Sequence, residues 1–458
     1  MTSPEKPENI SSRLFLIGVP IIIQSLVQYI QLQVDIVFLG HYKPIMLSAV
    51  GNVVFPYFIH VSFILTISMG ATIIISHCLG AGDIQRAKRY SEVSFFYNTV
   101  ISILFFIYLS FLAPAILNLL GTPAEVHSYA SDYMSILSYS FLLLGIEYSI
   151  TATLQGMGIT KHIMYAGIIR TAINTFLAWL LIFGNGGFPQ MGIRGAAIAT
   201  VISNYIAAAY FILIFSFSRN LTYKASIKGV FHPEWKIEKE SIVVGFPSGL
   251  ESMLWSFGQI VIISIVNKLD AYSSGLYIVV NRIQAFTFFI YLGIARATMV
   301  LVGQKIGAGK PEEAVQVGIV SLRYGIMLCV FIGFLFIAIP KEIISIFTSE
   351  ARLISRVSNL LYIAAVTIFP VAVNVITGNA IRGMKDTKWM LYTQILGTTF
   401  TISMSALMIF VFHLNLMGVF LTILFDESFR ACLNFLRFYK GKEFFFKFVK
   451  FRRVAGSG

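Results

Sequence analysis

Five carboxylates stand inside long apolar stretches of this 458-residue chain: Asp35, Glu147, Glu251, Asp426 and Glu427. A charged side chain at the centre of a lipid bilayer costs about 2.5–3.5 kcal/mol on insertion scales, so each acid needs a partner or a purpose. Spacing offers partners to three of them. Glu147 and Arg170 lie at equal distance, about eleven residues, from the turn near residues 158–159, and at that common depth they are expected to form a structural ion pair across a helical hairpin. Asp426 and Glu427 precede Arg430 by four and three residues, a spacing that pairs them on one helix face. Asp35 and Glu251 have no such neighbour. An isolated buried carboxylate either binds a cation or takes up a proton, and either event ties its occupancy to an ion gradient. Glu251 also lies one helical turn past Pro247; proline removes a backbone hydrogen bond and can bend a helix. Asn281, next to Arg282, is a candidate hydrogen-bonding residue in the second half of the chain, and Asn374 and Asn379 are polar candidates further on. No other chemistry is legible. Cys78, Cys329 and Cys432 lie far apart with no metal-ligand spacing,. A Ser/His/Asp set is missing, and so is a Gly-x-x-x-x-Gly-Lys-Ser/Thr phosphate loop,. The chain is therefore not expected to be an enzyme, to hold a cofactor or to use ATP.

The elements that must carry these acids follow from composition. The hydrophobic fraction is 57%, charged residues make up 12%, and mean hydropathy is +0.80. Soluble domains carry about 25% charged residues, so a soluble enzyme, a secreted domain and a disordered chain are all excluded. About 20 apolar residues span a bilayer as a helix. Twelve such segments are bounded by charge or by Gly/Pro/Asn turns: 14–39, 47–77, 93–118, 131–155, 163–185, 193–217, 241–267, 274–302, 316–339, 357–381, 390–413 and 416–437. The fold class is an all-α polytopic membrane protein. An N-lobe over 1–218, a polar linker over 219–240, a C-lobe over 241–437 and a basic tail over 438–458 are expected.

The net charge of +13 resembles a nucleic-acid signal until the charges are placed. With the N-terminus inside, the cytoplasmic segments hold 22 Lys and Arg and the outer loops hold 6. This asymmetry satisfies the positive-inside rule for an even number of helices with both ends cytoplasmic. The surplus is a topology signal, and no nucleic-acid partner is expected. The tail KGKEFFFKFVKFRR interleaves Phe with basic residues and suits an anionic lipid surface.

An offset of 227 residues runs through the chain. Gly18-Val19-Pro20 meets Gly245-Phe246-Pro247, LGAG at 79–82 meets IGAG at 306–309, and Gly156-Met157 meets Gly383-Met384. Thr160-Lys161 meets Thr387-Lys388, and Met191-Gly192-Ile193 meets Met417-Gly418-Val419 with a one-residue slip. Six spans per repeat return the chain to its starting side, so the two lobes share one topology and are parallel repeats, an arrangement suited to alternating access. Pro20 and Pro247, in corresponding places, are the expected hinges.

These repeated residues resemble the MATE (multidrug and toxic compound extrusion) family. The likeness runs from about Arg13 to Arg437. It is carried by VDIVFLGHY around Asp35, by the Gly-Ala-Gly turns, by LQGMGITK and IRGMKDTK, and by NTFLAWLLIFGNGGFPQMGIRGAAIAT from Asn174 to Thr200. The resemblance implies twelve helices and an antiporter in the inner membrane, a monomer that exports small organic, cationic and amphipathic compounds against entry of H⁺ or Na⁺. A flippase for lipid-linked oligosaccharide or another lipid, from the same superfamily, is the alternative. The likeness assigns Asp35 to coupling-ion binding and adds Asn174, Thr200 and Tyr139 as an N-lobe polar cluster, with a Na⁺ site at Asp35, Asn174 and Thr200. It also makes Glu251 an ion-coupling residue. One departure stands out: where many members place an Asp, four residues after Asn174, this chain has Ala178. Sodium prefers several hard anionic oxygens, as the divalent hard cations do, so the loss shifts the expectation toward protonation of Asp35.

Overall fold

The computed structural model describes residues 9–269, 273–345 and 351–455, with the side chains of 55, 351–356 and 441–455 excepted. The basic-tail side chains from 441 on therefore lie outside the described residues. Every regular element among the described residues is helical.

The first half comprises α1 (Ile10–Tyr42), α2 (Ile45–Gly80), α3 (Ile84–Leu119), α4 (Ala124–Ser138), α5 (Phe141–Met157), α6 (Lys161–Phe183) and α7 (Ile193–Phe217). A short α8 (Ile227–Val230) lies in the polar stretch. The second half comprises α9 (Trp235–Val266), α10 (Ser273–Gly307), α11 (Pro311–Ala338), α12 (Pro340–Ser345), α13 (Ala351–Gly383), α14 (Thr387–Phe410) and α15 (Asn415–Ala455). Ten of these helices are long and apolar enough to cross a membrane, and the α4–α5 pair, bent by 52°, makes an eleventh. Helix α15, whose apolar run is interrupted by Asp426, Glu427 and Arg430, is not among these spans.

Two expectations are corrected. The fourth span is not one helix over 131–155 but two, broken at Tyr139-Ser140. The stretch 219–240 is not all linker, since α9 already begins at Trp235.

The helix ends repeat at the same offset as the sequence. Residue 84 opens α3 and residue 311 opens α11; residue 183 closes α6 and residue 410 closes α14. Local chemistry explains the punctuation. Asp83 caps α3 by accepting from the Arg86 amide at 2.9 Å, which satisfies one of the free donors of the first helical turn. The turns before α3 and α11 place Gly82 at φ 74° and Gly309 at φ 73°, where a side chain would be strained,. Past α5, Gly158 takes φ 76°, and its counterpart past α13 is Lys385, held at φ 67° despite its side chain.

The chain divides into two compact units. One is Ile23–Gly249; the other is Met1–Ile22 with Leu250–Gly458. The first buries a core of Leu39, Ala49, Ile64, Leu109, Phe141 and Ile182. The second buries Ile262, Val280, Phe336, Leu361, Ala365 and Phe420. Helices α1 and α9 each belong partly to both units, and their dividing points, 22/23 and 249/250, again differ by 227. Within the first unit, Gly245 of α9 lies against α2 so closely that a Cβ would meet the Thr66 carbonyl at 1.9 Å. Within the second, Gly18 of α1 lies against Gly293 and Ala297 of α10. Small residues at such crossings let helix backbones approach in lipid, where hydrophobic drive is absent.

Candidate functional site

In the unit Ile23–Gly249, α1 and α6 run side by side in the same direction. Gln24 lies against Gly167, Thr171 donates to Gln31 Oε1 at 2.9 Å, and the rings of Phe38 and Phe183 meet edge-on at 5.7 Å. Asp35 falls between the second and third of these contacts along α1, and Asn174 falls between them along α6. Asn174 is fully buried. Its Nδ2 donates to Thr200 Oγ1 at 3.2 Å, and Thr200 in turn donates to the Ala196 carbonyl at 3.0 Å.

Two acceptors here lack any hydrogen-bond partner: Asp35 Oδ1 and Asn174 Oδ1, both buried. Buried polar atoms are nearly always satisfied, so these two oxygens are exceptions. Tyr133, from α4, is buried and lies within electrostatic range of Asp35. Ala178, one turn beyond Asn174, is fully buried, so no second carboxylate joins the group. Phe38, Thr171, Ala172, Thr175, Phe176 and Trp179 line an open surface pocket of about 520 Å³. Tyr139 is not brought into this cluster. It is half-exposed at the break between α4 and α5, stacks edge-on against Phe106 at 5.0 Å, and accepts from Tyr205 through its backbone carbonyl.

The second unit holds a different arrangement. Glu251 of α9 is not alone: one nitrogen of Arg382, on α13, donates to both its oxygens at 2.6 and 2.7 Å. Asn374 donates to Glu427 Oε2 at 2.8 Å and accepts from Asn434 at 2.6 Å. Arg430 binds Asp426 at 2.6 and 3.0 Å, Glu427 at 2.5 Å and Gln394 at 3.1 Å. Trp389 closes the network by donating to Asn434 at 2.8 Å. Asn281 does not reach it; its amide donates to the Tyr277 carbonyl in its own helix at 2.9 Å. In the first unit, Arg170 and Glu147 are ion-paired. Pro20 and Pro247 lie inside continuous helices, each two residues before the point at which its helix passes from one compact unit to the other.

Arg382 is the partner of Glu251 that the sequence reading did not single out, because it lies at the rim of an apolar segment, 131 residues from the acid it binds. A signal was present. At the repeat offset, Gln24 corresponds to Glu251 and Gln155 to Arg382, so two amides in the first half became an acid and a base in the second.

Among the described residues, no group of three or more His, Cys, Asp or Glu is placed to hold a metal ion. The oxygens of Asp35, Asn174 and Thr200 are those of one carboxylate, one amide and one hydroxyl. That set suits a proton or a weakly held monovalent cation, and it suits a divalent ion poorly.

Comparison with known proteins places this arrangement. The model of the MatE family matches residues 20–180 and again 247–407, two stretches separated by the same 227 residues. "Probable multidrug resistance protein NorM" of Thermotoga maritima is 29% identical over 96% of this chain and 94% of its own. "Probable multidrug resistance protein YoeA" of Bacillus subtilis is 28% identical over 77% of this chain and 76% of its own. An outward-facing structure of a multidrug resistance MATE family transporter of the MOP superfamily superposes with a TM-score of 0.89. It covers 96% of this chain and 97% of its own at 19% identity, and so shares the fold. The chain belongs to the MatE family, a family of multi-pass membrane transporters and not of enzymes.

Proposed function

We propose that this protein is a secondary antiporter of the cytoplasmic (inner) membrane, with both termini inside, that exports small organic cations in exchange for protons entering at Asp35. The observation that carries the reading is the pair of buried, partnerless oxygens on Asp35 and Asn174. A carboxylate left bare in an apolar interior is costly, and a proton neutralises it without further ligands. An open pocket on α1 and α6 presents Phe38, Phe176 and Trp179, and aromatic faces attract organic cations. An aromatic monocation and a proton then compete for one carboxylate, which is the minimum needed for exchange. The neutralised Glu251–Arg382 pair supports a positioning role for Glu251 in place of direct ion capture. Bends past Pro20 and Pro247 are the movements through which α1 and α9 follow two units at once.

Sodium is the second reading. It is favoured by the free Asn174 oxygen and the neighbouring Thr200 hydroxyl, which would serve as neutral ligands beside Asp35.

Everted membrane vesicles containing the full chain, assayed with ethidium under an imposed pH gradient and separately under an imposed Na⁺ gradient, test the proposal. Movement of ethidium is expected under the pH gradient. Movement under the Na⁺ gradient alone replaces the proton with sodium, and no movement under either gradient overturns the antiport reading.

A further inference from the structure

A second carboxylate in the unit Ile23–Gly249 is more completely enclosed than Asp35 and has no role in the mechanism above. Glu238, in the first turn of α9, is 1% exposed, and neither of its oxygens has a hydrogen-bond partner. One turn on, Ser241 is fully buried and its hydroxyl is also unpartnered. The enclosure is built by helix crossing. The Ser241 carbonyl lies so close to α2 that a Cβ on Gly70 would meet it at 1.9 Å. Ile237 and Val244, on either side, pack on an apolar cluster that includes Ala71, Ile74, Ile75 and Met157.

The bases nearby are engaged elsewhere. Arg89 of α3 binds Glu234 at 2.6 Å, while Tyr90 and Arg86 bind Glu240. Other titratable groups on the surrounding elements are His77 and Cys78 of α2, Glu92 of α3 and Tyr223 of the segment before α8, with Lys236 and Lys239 on α9 itself. None of them hydrogen-bonds Glu238. The stretch of α5 in the same cluster, 152–157, carries no titratable side chain.

We propose that Glu238, with Ser241 beside it, is a second proton-binding site: its carboxyl carries a proton while the start of α9 is packed on α2, and gives that proton to water when the packing loosens. A proton fits better than a metal cation, which needs about six oxygens, whereas this enclosure offers three from two side chains. The coupling has a definite sign. An ionised Glu238 needs water or a donor, and the packed arrangement supplies neither, so low pH favours the packed start of α9 and high pH favours its release. The site stands apart from Asp35 and does not depend on the role assigned to it.

The test uses the full chain in lipid nanodiscs. Infrared difference spectra between acid and alkaline buffer are compared for Asp35→Asn and for Asp35→Asn/Glu238→Gln. The double variant is expected to lose one carboxyl's worth of the protonated C=O stretch. Hydrogen–deuterium exchange of amides 235–249, corrected for intrinsic rate, is the second arm. Protection in the native chain is expected to fall as pH rises, while Glu238→Gln and Glu238→Met stay protected throughout. Three outcomes overturn the proposal: an unchanged carboxyl band, the same pH dependence in the variants, or protection lost in both variants at every pH. Ethidium movement by the native chain is measured separately, so failure here and failure of the antiport reading are distinguishable.

Discussion

The two units use the same helix frame for opposite electrostatic designs. In Ile23–Gly249, Asp35 Oδ1 and Asn174 Oδ1 have no hydrogen-bond partner. In the unit that includes Leu250–Gly458, Glu251, Asp426 and Glu427 are held by Arg382 and Arg430. The position corresponding to Asp35 in the second half is Ile262, and the positions corresponding to Glu251 and Arg382 in the first are Gln24 and Gln155. Duplication fixed where helices run and cross. The residues that differ between the halves leave Asp35 without an ion-pair partner and give Glu251 one. An open carboxylate can bind and release; a saturated one is exchangeable only by breaking its ion pair, which is the expensive event in a low-dielectric interior.

The largest predicted effect breaks the saturated half. Arg382→Met strands Glu251 and should lower stability by about 3–5 kcal/mol, read by thermal unfolding in detergent. Restoring the amide pair of the first half, with Glu251→Gln and Arg382→Gln together, should recover most of that loss. A double variant as unstable as the single one would show that the pair is not the unit of stability. A smaller effect is expected in the open half. Asn174→Ala removes one donor to Thr200 and should cost about 1 kcal/mol, because its amide oxygen has no partner to lose. A cost several times larger would mean that the Asn174 oxygen is engaged in the lipid-embedded protein. An effect of similar size and opposite sign concerns the repeat itself. Lys385→Gly relieves a left-handed residue at the place where the first half has Gly158, and should raise stability by about 1 kcal/mol, measured in the same unfolding assay.

Much of this was legible in the sequence because apolar length and the offset of 227 are strong one-dimensional signals. The Gly-Ala-Gly turns at 80–82 and 307–309 stand in the sequence as matching punctuation, although the spans expected after them, from 93 and 316, begin later than the helices at 84 and 311. The Glu147–Arg170 pair could be placed because both lie equally far from one hairpin turn. What was not legible depends on three dimensions. The break at Tyr139-Ser140 leaves no Pro or Gly as a marker. Pairing of Glu251 with Arg382 crosses 131 residues and brings together helices whose facing sides no periodicity specifies. Tyr139 was placed by likeness alone, and its location at a helix end turns it away from Asn174. Glu238 was hidden by its charged sequence neighbours Lys236, Lys239 and Glu240, which read as a solvated linker until α9 buries one of the four.

The central claim is that the open acid couples transport and the neutralised one does not. Proteoliposomes loaded with a pH-sensitive dye, given an ethidium gradient, report it directly through proton movement driven by substrate. The account predicts that Asp35→Asn abolishes substrate-driven proton movement, while the Glu251→Gln/Arg382→Gln double variant retains it. Proton movement that persists in Asp35→Asn, or that vanishes in the double variant with Asp35 intact, would contradict it.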